Sequence, residues 1–219
     1  MITSFDELVK FTNISILNNQ AFDSSSIKRI TLPPKLVSLT RTFDNCSKLE
    51  QIVGLEHITK LESRVFANCV NWTEILNMPM LDSVINYTEM FQNAGLKGVE
   101  NLGSITILPS FQSSQIEYIN IPETVTEIGR GSLRGCKKLK KIIIPKNVAL
   151  INDGSLIINP GNTPIIFLGE IPPMCTGDGS INEGRSYIYV PDTALDTYKS
   201  ASIFIKYVNK IRPMSEFVE

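Results

Sequence analysis

The side chains that could do catalytic or metal chemistry are few and scattered along the chain. The four cysteines are Cys46, Cys69, Cys136 and Cys175. None lies in a C-x-x-C pair, and the single histidine is His57, so a zinc site with the usual ligand spacing is not expected. A Ser–His or Cys–His arrangement would need His57, for which a plain turn histidine is the better interpretation. We therefore expect no enzyme, no metal and no cofactor.

A glycine motif and a basic run are the candidates for binding an anion. Gly129, Gly131 and Gly135 miss the G-x-G-x-x-G spacing by one residue and follow a repeat turn, which argues against a phosphate loop. The basic run contains Arg130, Arg134, Lys137, Lys138, Lys140, Lys141 and Lys146. It could attract phosphates or anionic glycans, although solvated corners are the more usual origin of such a run. The net charge of −1 argues against nucleic-acid binding.

Short internal repeats must position these side chains. The segment IEYINIPETVTEIGRGSLRGC, from Ile116 to Cys136, matches LKKIIIPKNVALINDGSLIIN, from Leu139 to Asn159. The positions that align at a spacing of 23 are Ile116/Leu139, Ile119/Ile142, Ile121/Ile144, Pro122/Pro145, Val125/Val148, Ile128/Ile151 and Leu133/Leu156. Such a fixed period indicates a solenoid, because one small unit cannot bury its own apolar face.

Earlier copies follow the same phase. They begin at Ile27, Leu49, Trp72 and Leu96. The third of these is stretched by two residues near Asn86, and the fourth is shortened before Phe111.

An even number of cysteines permits disulfides, but Cys46, Cys69 and Cys136 share one repeat phase. That shared phase favours buried thiols, which pack as small apolar groups.

Each unit predicts one strand. The alternation of Ile119 and Ile121 predicts a strand with one buried face, and Pro122 ends it by removing a ladder donor. The V-x-x-I-G step that follows is expected to turn the chain. About seven such rungs, of roughly 23 residues each, would form the solenoid.

The two ends of the stack need covers. Ser4 and Glu7 form a capping-box pattern, which predicts a helix over about residues 5–11. Its buried face would carry Phe5, Leu8 and Phe11. Near the C-terminus Asp192 is the predicted N-cap of a second helix. That helix would present Leu195 and Tyr198.

The domain division follows from these elements. Residues 1–26 form the N-terminal cap and first partial repeat, and residues 27–170 form the solenoid. Residues 171–219 form the degenerate last repeat and the C-terminal cap. We expect the three parts to make one continuous domain.

The outward side of the strands is the predicted ligand-binding face. The residues expected to point inward are Ile30, Ile52, Ile75, Val99, Ile119 and Ile142. Their preceding neighbours, expected to point outward, are Arg29, Gln51, Glu74, Gly98, Tyr118 and Lys141. The next outward column is Thr31, Val53, Leu76, Glu100, Asn120 and Ile143, and the cap adds Tyr187 and Tyr189. Mixed aromatic, aliphatic and charged groups are typical of binding surfaces, whereas cross-rung pairs that stabilise the sheet are the alternative explanation.

The motif L-x-x-I-x-I-P-x-x-V-x-x-I-G, from Ile116 to Gly129 and again from Leu139, resembles the BspA-like leucine-rich-repeat family. In the second copy Asn152 replaces the glycine. The ending YIYVPDTALDTYKSA with KIRPM resembles the family's C-terminal cap, and ITSFDELVKFTNI resembles its usual first repeat. The resemblance implies an α/β, mostly β, leucine-rich-repeat solenoid. It also implies adhesion or protein binding on bacterial surfaces, as secreted proteins or in phage.

These observations lead to a functional hypothesis with one alternative. We expect a non-catalytic recognition or adhesion module that binds a protein or glycan through the strand face. The alternative is a structural component of a phage particle or cell-envelope assembly.

No run of about 18 apolar residues exists, so membrane insertion is not expected. The opening MITSFDELVK does not predict a signal peptide, which leaves open removal of an export signal, retention in a cell and release in a phage particle.

Overall fold

The computed structural model describes residues 3–158, 163–177, 179–181 and 187–218, through which the chain winds as a parallel β-solenoid of about nine turns. Asn159, which ends the second sequence copy, lies outside these residues. In this part of the chain the strands are β1 (Ser4–Phe5), β2 (Arg29–Thr31), β3 (Ser38–Thr40), β4 (Gln51–Val53), β5 (Lys60–Glu62), β6 (Ile75–Asn77), β7 (Ser83–Ile85), β8 (Gly98–Asn101), β9 (Ile107–Leu108), β10 (Glu127–Ile128), β11 (Ile142–Ile144), β12 (Leu150–Ile151), β13 (Ile165–Phe167), β14 (Met174–Cys175), β15 (Ile188–Val190) and β16 (Ile211–Pro213). The helices are α1 (Leu195–Ser200) and the 3-10 helices Asp6–Lys10, Leu55–His57, Asp192–Ala194, Phe204–Tyr207 and Met214–Glu216.

The strands form two columns. The first column contains the sheets β1–β2–β4, β6–β8 and β11–β13–β15–β16, and a bridge between Val99 and Ile119 extends the middle one. The second column contains β3–β5–β7 and β9–β10–β12–β14. Every pairing is parallel, and the register Ile142↔Ile165 and Ile165↔Ile188 repeats the 23-residue spacing read from the sequence.

The second column corrects one sequence expectation. The V-x-x-I-G step does not simply turn the chain, because it supplies a strand in each of several repeats. In β10, for example, Ile128 is buried and pairs with Ile151 of β12. The backbone between the two apolar positions is extended and bonds to its equivalents in neighbouring coils, so each repeat closes over its core from two sides.

Stacked aromatic rings fill the core between the columns. Phe22, Phe43, Phe66, Phe91 and Phe111 lie one above another, with successive ring centroids 5.6, 5.7, 5.5 and 4.6 Å apart. Each ring comes from the same phase of its repeat. Full burial of one such side chain contributes roughly 1.5–3 kcal/mol to folding, so this ladder binds successive coils together.

The cysteines at the shared repeat phase are buried free thiols, as the sequence predicted. The Sγ atoms of Cys46, Cys69 and Cys136 donate to main-chain carbonyls in the preceding coil at 2.8, 3.2 and 3.0 Å. Those carbonyls belong to Phe22, Phe43 and Phe111. Burial raises the pKa of all three thiols, and that of Cys136 reaches about 11.

The N-terminal cap departs from the expected helix. Ser4 and Phe5 form β1 beside β2, and only a 3-10 helix follows them. No side-chain bond caps that helix, so the Ser4–Glu7 capping box does not form. Leu8 is buried, Phe5 is half-buried and Phe11 is exposed, because one short 3-10 turn cannot bring all three to one side.

The C-terminal cap contains the expected helix with a different start. The N-cap of α1 is Ala194 rather than Asp192, which lies in the preceding 3-10 turn. The Asp192 carboxylate instead accepts the backbone N–H of Ser215 at 3.0 Å, and this bond lowers its pKa. Tyr198 is buried and Leu195 packs against the core, as expected.

Candidate ligand-binding face

The outward side of the first column is here named the first-sheet face. Arg29, Val53, Asn120 and Ile143 are exposed on it, while Gln51, Tyr118 and Lys141 are half-buried. Their strand neighbours Ile30, Ile52, Ile119 and Ile142 are buried, so these seven residues lie on the outward side, because alternate residues of a strand point to opposite sides. The structure therefore gathers them along one side of the stack.

The expected orientation of β6 is wrong by one residue. Leu76 is 0% exposed, whereas Ile75 is 47% exposed. The cause is one extra residue before the strand, since the inward positions Ile52 and Leu76 are separated by 24 residues. A one-residue shift sends every side chain of a strand to the other face, so Ile75 and Asn77 occupy the first-sheet face and Leu76 does not.

Glu74 has a structural role that the sequence did not reveal. Its Oε2 accepts the backbone N–H of Ile52 at 3.3 Å and the indole N–H of Trp72 at 2.9 Å. The half-buried carboxylate thus lies between two consecutive coils. It takes the place of the strand-to-strand bond that an intact first column would have there.

A cleft of about 720 Å³ opens at this interruption and is here named the split-sheet cleft. Residues 51–85 are all described. Within them β4 and β6 belong to separate sheets, while β5 and β7 remain paired in the second column. The cleft is lined by residues 51–56, residues 72–75, Asn77 and Lys97. Sequence reasoning missed Trp72, Ile75 and Lys97, and the 24-residue spacing is the signal that could have found them.

Aromatic side chains occupy the C-terminal end of the first-sheet face. Tyr187 is exposed, and the guanidinium of Arg212 lies 4.9 Å from its ring centroid. Tyr189 is half-buried and packs edge-on against Phe217 at 4.9 Å. Further down the face, the Tyr118 hydroxyl lies 3.4 Å from a carboxylate oxygen of Glu100.

The basic run lies next to acidic side chains from neighbouring coils. Lys140 forms an ion pair with Glu117 at 3.0 Å and lowers the pKa of that carboxyl, and Arg130 lies 3.9 Å from Asp153. This supports the interpretation of the run as solvated corners.

His57 lies in a 3-10 turn, 3.6 Å from Glu56, and is exposed. Within the residues described, no cluster of three or more His, Cys, Asp or Glu side chains could hold a metal ion.

The two irregular repeats compensate each other on the far side of the molecule. Tyr87, in the stretched repeat, reaches past the shortened one and donates its hydroxyl to Glu127 at 3.2 Å. Asn152 donates to the same carboxylate oxygen at 2.7 Å. A Cβ on Gly129 would lie 2.6 Å from the Tyr87 ring, so the absence of a side chain there makes room for it.

The parallel columns and stacked coils define a leucine-rich-repeat solenoid. Residues 2–97 and 109–158 match the BspA type leucine rich repeat region in six copies, which is more than half of the chain. The chain therefore belongs to the BspA-type leucine-rich-repeat family. Comparison with curated proteins gives no match.

Comparison with solved structures finds two leucine-rich-repeat proteins and a pneumococcal antigen, and the similarity in fold rests on the one from Bacteroides ovatus. A protein from Bacteroides ovatus is 20% identical over 88% of this chain with a TM-score of 0.56, and this chain covers 48% of its length. The T. pallidum protein TpLRR is 18% identical over 91% of this chain and 83% of its own, with a TM-score of 0.45. The pneumococcal vaccine antigen PcpA is 15% identical over 89% of this chain and 68% of its own, with a TM-score of 0.36.

No helix in the described part of the chain has the length and apolar character that crossing a membrane would require.

Proposed function

We propose that the chain is a non-catalytic recognition or adhesion module that binds a protein or glycan through the first-sheet face. The supporting observation is a column of uncovered apolar and aromatic side chains on that face. Val53, Ile75, Ile143 and Tyr187 are 46%, 47%, 38% and 48% exposed. Apolar groups gathered on one side of a protein, with polar neighbours around them, are typical of contact surfaces.

Cross-rung stabilisation explains only part of this column. Tyr118 packs over Gly98, where a Cβ would come within 2.3 Å of its ring, and this contact serves the sheet itself. Tyr187 and Ile143 instead keep a large part of their surface open to solvent. Large side chains of this kind supply much of the binding energy when a partner covers them.

A matched pair of double variants tests the proposal. Ile143→Ser with Tyr187→Ser removes apolar surface from the face, and Val37→Ser with Ile171→Ser removes exposed apolar surface elsewhere. The probes are a panel of immobilised glycans and extracellular proteins, and binding is measured by surface plasmon resonance. We expect the face variant to bind about ten-fold more weakly than the native chain and the control variant to bind normally.

Two results would contradict this function. One is equal binding by both double variants and the native chain. The other is no binding of the native chain to any member of the panel. Circular dichroism spectra of the variants show whether a loss of binding comes from a loss of structure.

A further inference from the structure

The split-sheet cleft leaves the facing edges of β4 and β6 without a neighbouring strand. β4 uses Gln51 and Val53 to pair with the preceding coil: Gln51 N–H donates to Lys28 at 3.0 Å, and Val53 C=O accepts from Leu32 at 2.9 Å. The backbone groups of alternate residues in a parallel strand point to opposite sides. Those of Ile52 therefore face β6, with which β4 shares no pairing in this fully described stretch.

The hydrogen bond between the β4 edge and the Glu74 side chain is weak. Its carboxylate takes the Ile52 N–H at 3.3 Å, which is long for a bond to a charged acceptor. The shorter bond, at 2.9 Å, goes to the Trp72 indole. A backbone carbonyl from another chain could take the Ile52 N–H while Glu74 keeps the indole. An unpaired strand edge is a template for the addition of another strand.

The walls of the cleft suit an extended peptide. Val53 and Ile75 expose apolar surface, one on each flank of the opening. The cleft volume of about 720 Å³ lies within the usual range of roughly 300–1,000 Å³ for ligand sites. Strand addition combines backbone hydrogen bonds with contacts to alternate side chains, and this cleft offers both.

We propose that the split-sheet cleft binds an extended peptide segment of a partner protein by strand addition to β4, with a peptide carbonyl replacing Glu74 at the Ile52 N–H. This rests on the proposed function, since it names an extended peptide as a ligand of the first-sheet face. Alternate apolar residues of the peptide contact Val53 and Ile75. A lysine or arginine in the peptide pairs with the Glu74 carboxylate. Glu56 adds a second negative charge to the lining, so the negative charges there outnumber the one positive charge of Lys97.

The single tryptophan of the chain is a built-in reporter of this event. Trp72 lines the cleft and is hydrogen-bonded to Glu74, so movement of that carboxylate changes its fluorescence. The probes are acetylated and amidated pentapeptides with alternating Val, Ile or Tyr residues, such as Thr-Val-Lys-Val-Thr. Each peptide that binds is also made in two N-methylated versions. In one version the methylated amides lie along one edge of the peptide backbone, and in the other version they lie along the opposite edge.

The proposal predicts a saturable change in Trp72 emission. N-methylation of the edge facing β4 should weaken binding by about ten-fold or more, and N-methylation of the opposite edge should have little effect. Equal binding of both methylated versions would overturn the proposal. So would the absence of any binder in the panel below about 1 mM, or saturation of the signal by oligosaccharides and not by peptides.

A charge variant gives a second readout in a folded chain. Glu74→Gln keeps an acceptor for the indole but removes the charge, so it should weaken the lysine peptide about ten-fold and leave a Thr-Val-Thr-Val-Thr peptide unchanged. Glu100→Gln, on the same face and outside the cleft lining, is the matched control. Equal effects of Glu74→Gln on both peptides would contradict the assigned role of Glu74. Loss of panel binding in the Ile143/Tyr187 variant without any peptide binding would leave the proposed function standing and this inference refuted.

Discussion

At the scale of single residues, the buried Asp44 carboxylate and the Arg64 guanidinium together join three coils. The Asp44 side chain is 1% exposed and forms two bonds with the guanidinium of Arg64, at 2.8 and 3.2 Å. Arg64 also pairs with Glu89 of the following coil, and the hydrogen bonds that it donates to Asp44 raise the pKa of the arginine. This cluster fixes the turns that follow the second column.

Removal of that carboxylate should therefore be costly. We expect Asp44→Ala to lower the free energy of unfolding by about 2–3 kcal/mol, because the Arg64 guanidinium loses two of its charge-assisted hydrogen bonds. Glu50→Ala breaks the exposed pair with Lys28, formed at 3.0 Å, and should cost less than about 1 kcal/mol. Urea denaturation followed by circular dichroism measures the free energy of unfolding of both variants. Equal losses would show that the buried Asp44–Arg64 pair stabilises the chain no more than the exposed Glu50–Lys28 pair does.

The buried thiols predict how stability depends on pH. Burial raises the pKa of Cys136 from 9.0 to about 11, so the folded state holds its proton more tightly than the unfolded state does. The resulting stabilisation is complete below pH 9.0 and is lost as the pH rises through about 11.

A cysteine variant isolates this contribution from that of other alkaline groups. Between about pH 8 and pH 11 the native chain should lose about 2 kcal/mol more stability than Cys136→Ala does. Urea titrations of both proteins at the two pH values measure the difference. An identical pH dependence would mean that the Cys136 thiol ionises as readily in the folded state as in the unfolded one.

At the scale of elements, the orientation of β6 offers a clear test. Leu76→Asp places a charge in the core and should destabilise the chain by more than about 3 kcal/mol, whereas Ile75→Asp on the surface should cost less than about 1 kcal/mol. Thermal unfolding of the two variants gives the comparison. The reverse order would restore the orientation that a strict 23-residue repeat predicts.

The elements also show what the sequence could and could not predict. The L-x-x-I-x-I-P strands, the parallel stack and the buried thiols follow from fixed spacing, which survives in the structure. The second column was missed because two apolar positions in V-x-x-I-G fit a turn as well as a short strand. Leu76 was misplaced because its neighbour Ile75 is also apolar, so the pattern does not show which of them faces the core.

The candidate site was only partly predictable for a related reason. Most of the first-sheet face follows from the alternation of residues within each strand. The split-sheet cleft depends on where one sheet ends and another begins, and Glu74 acquires its role only from that break. Local sequence does not specify such a long-range feature, although the one-residue change in spacing coincides with it.

At the scale of the whole molecule, the proposals depend on coils that stack in order and present one continuous face. Coil-to-coil spacing is about 4.8 Å in a parallel column. Along the first column, Ile143 lies four rungs beyond Val53, and Tyr187 lies at the rung two beyond that. Distances along the face should therefore grow in proportion to the number of rungs.

Pulsed electron spin resonance on labelled cysteine variants measures these distances most directly. Labels would replace Val53, Ile143 and Tyr187 in pairs, while the native thiols, whose raised pKa keeps them protonated, stay largely unlabelled. We expect roughly 20–25 Å from position 53 to 143, because the step across the split-sheet cleft is wider than a paired rung, and about 10 Å more from 53 to 187. Two similar distances, or a shorter one to position 187, would contradict the stacked solenoid and with it the continuous first-sheet face.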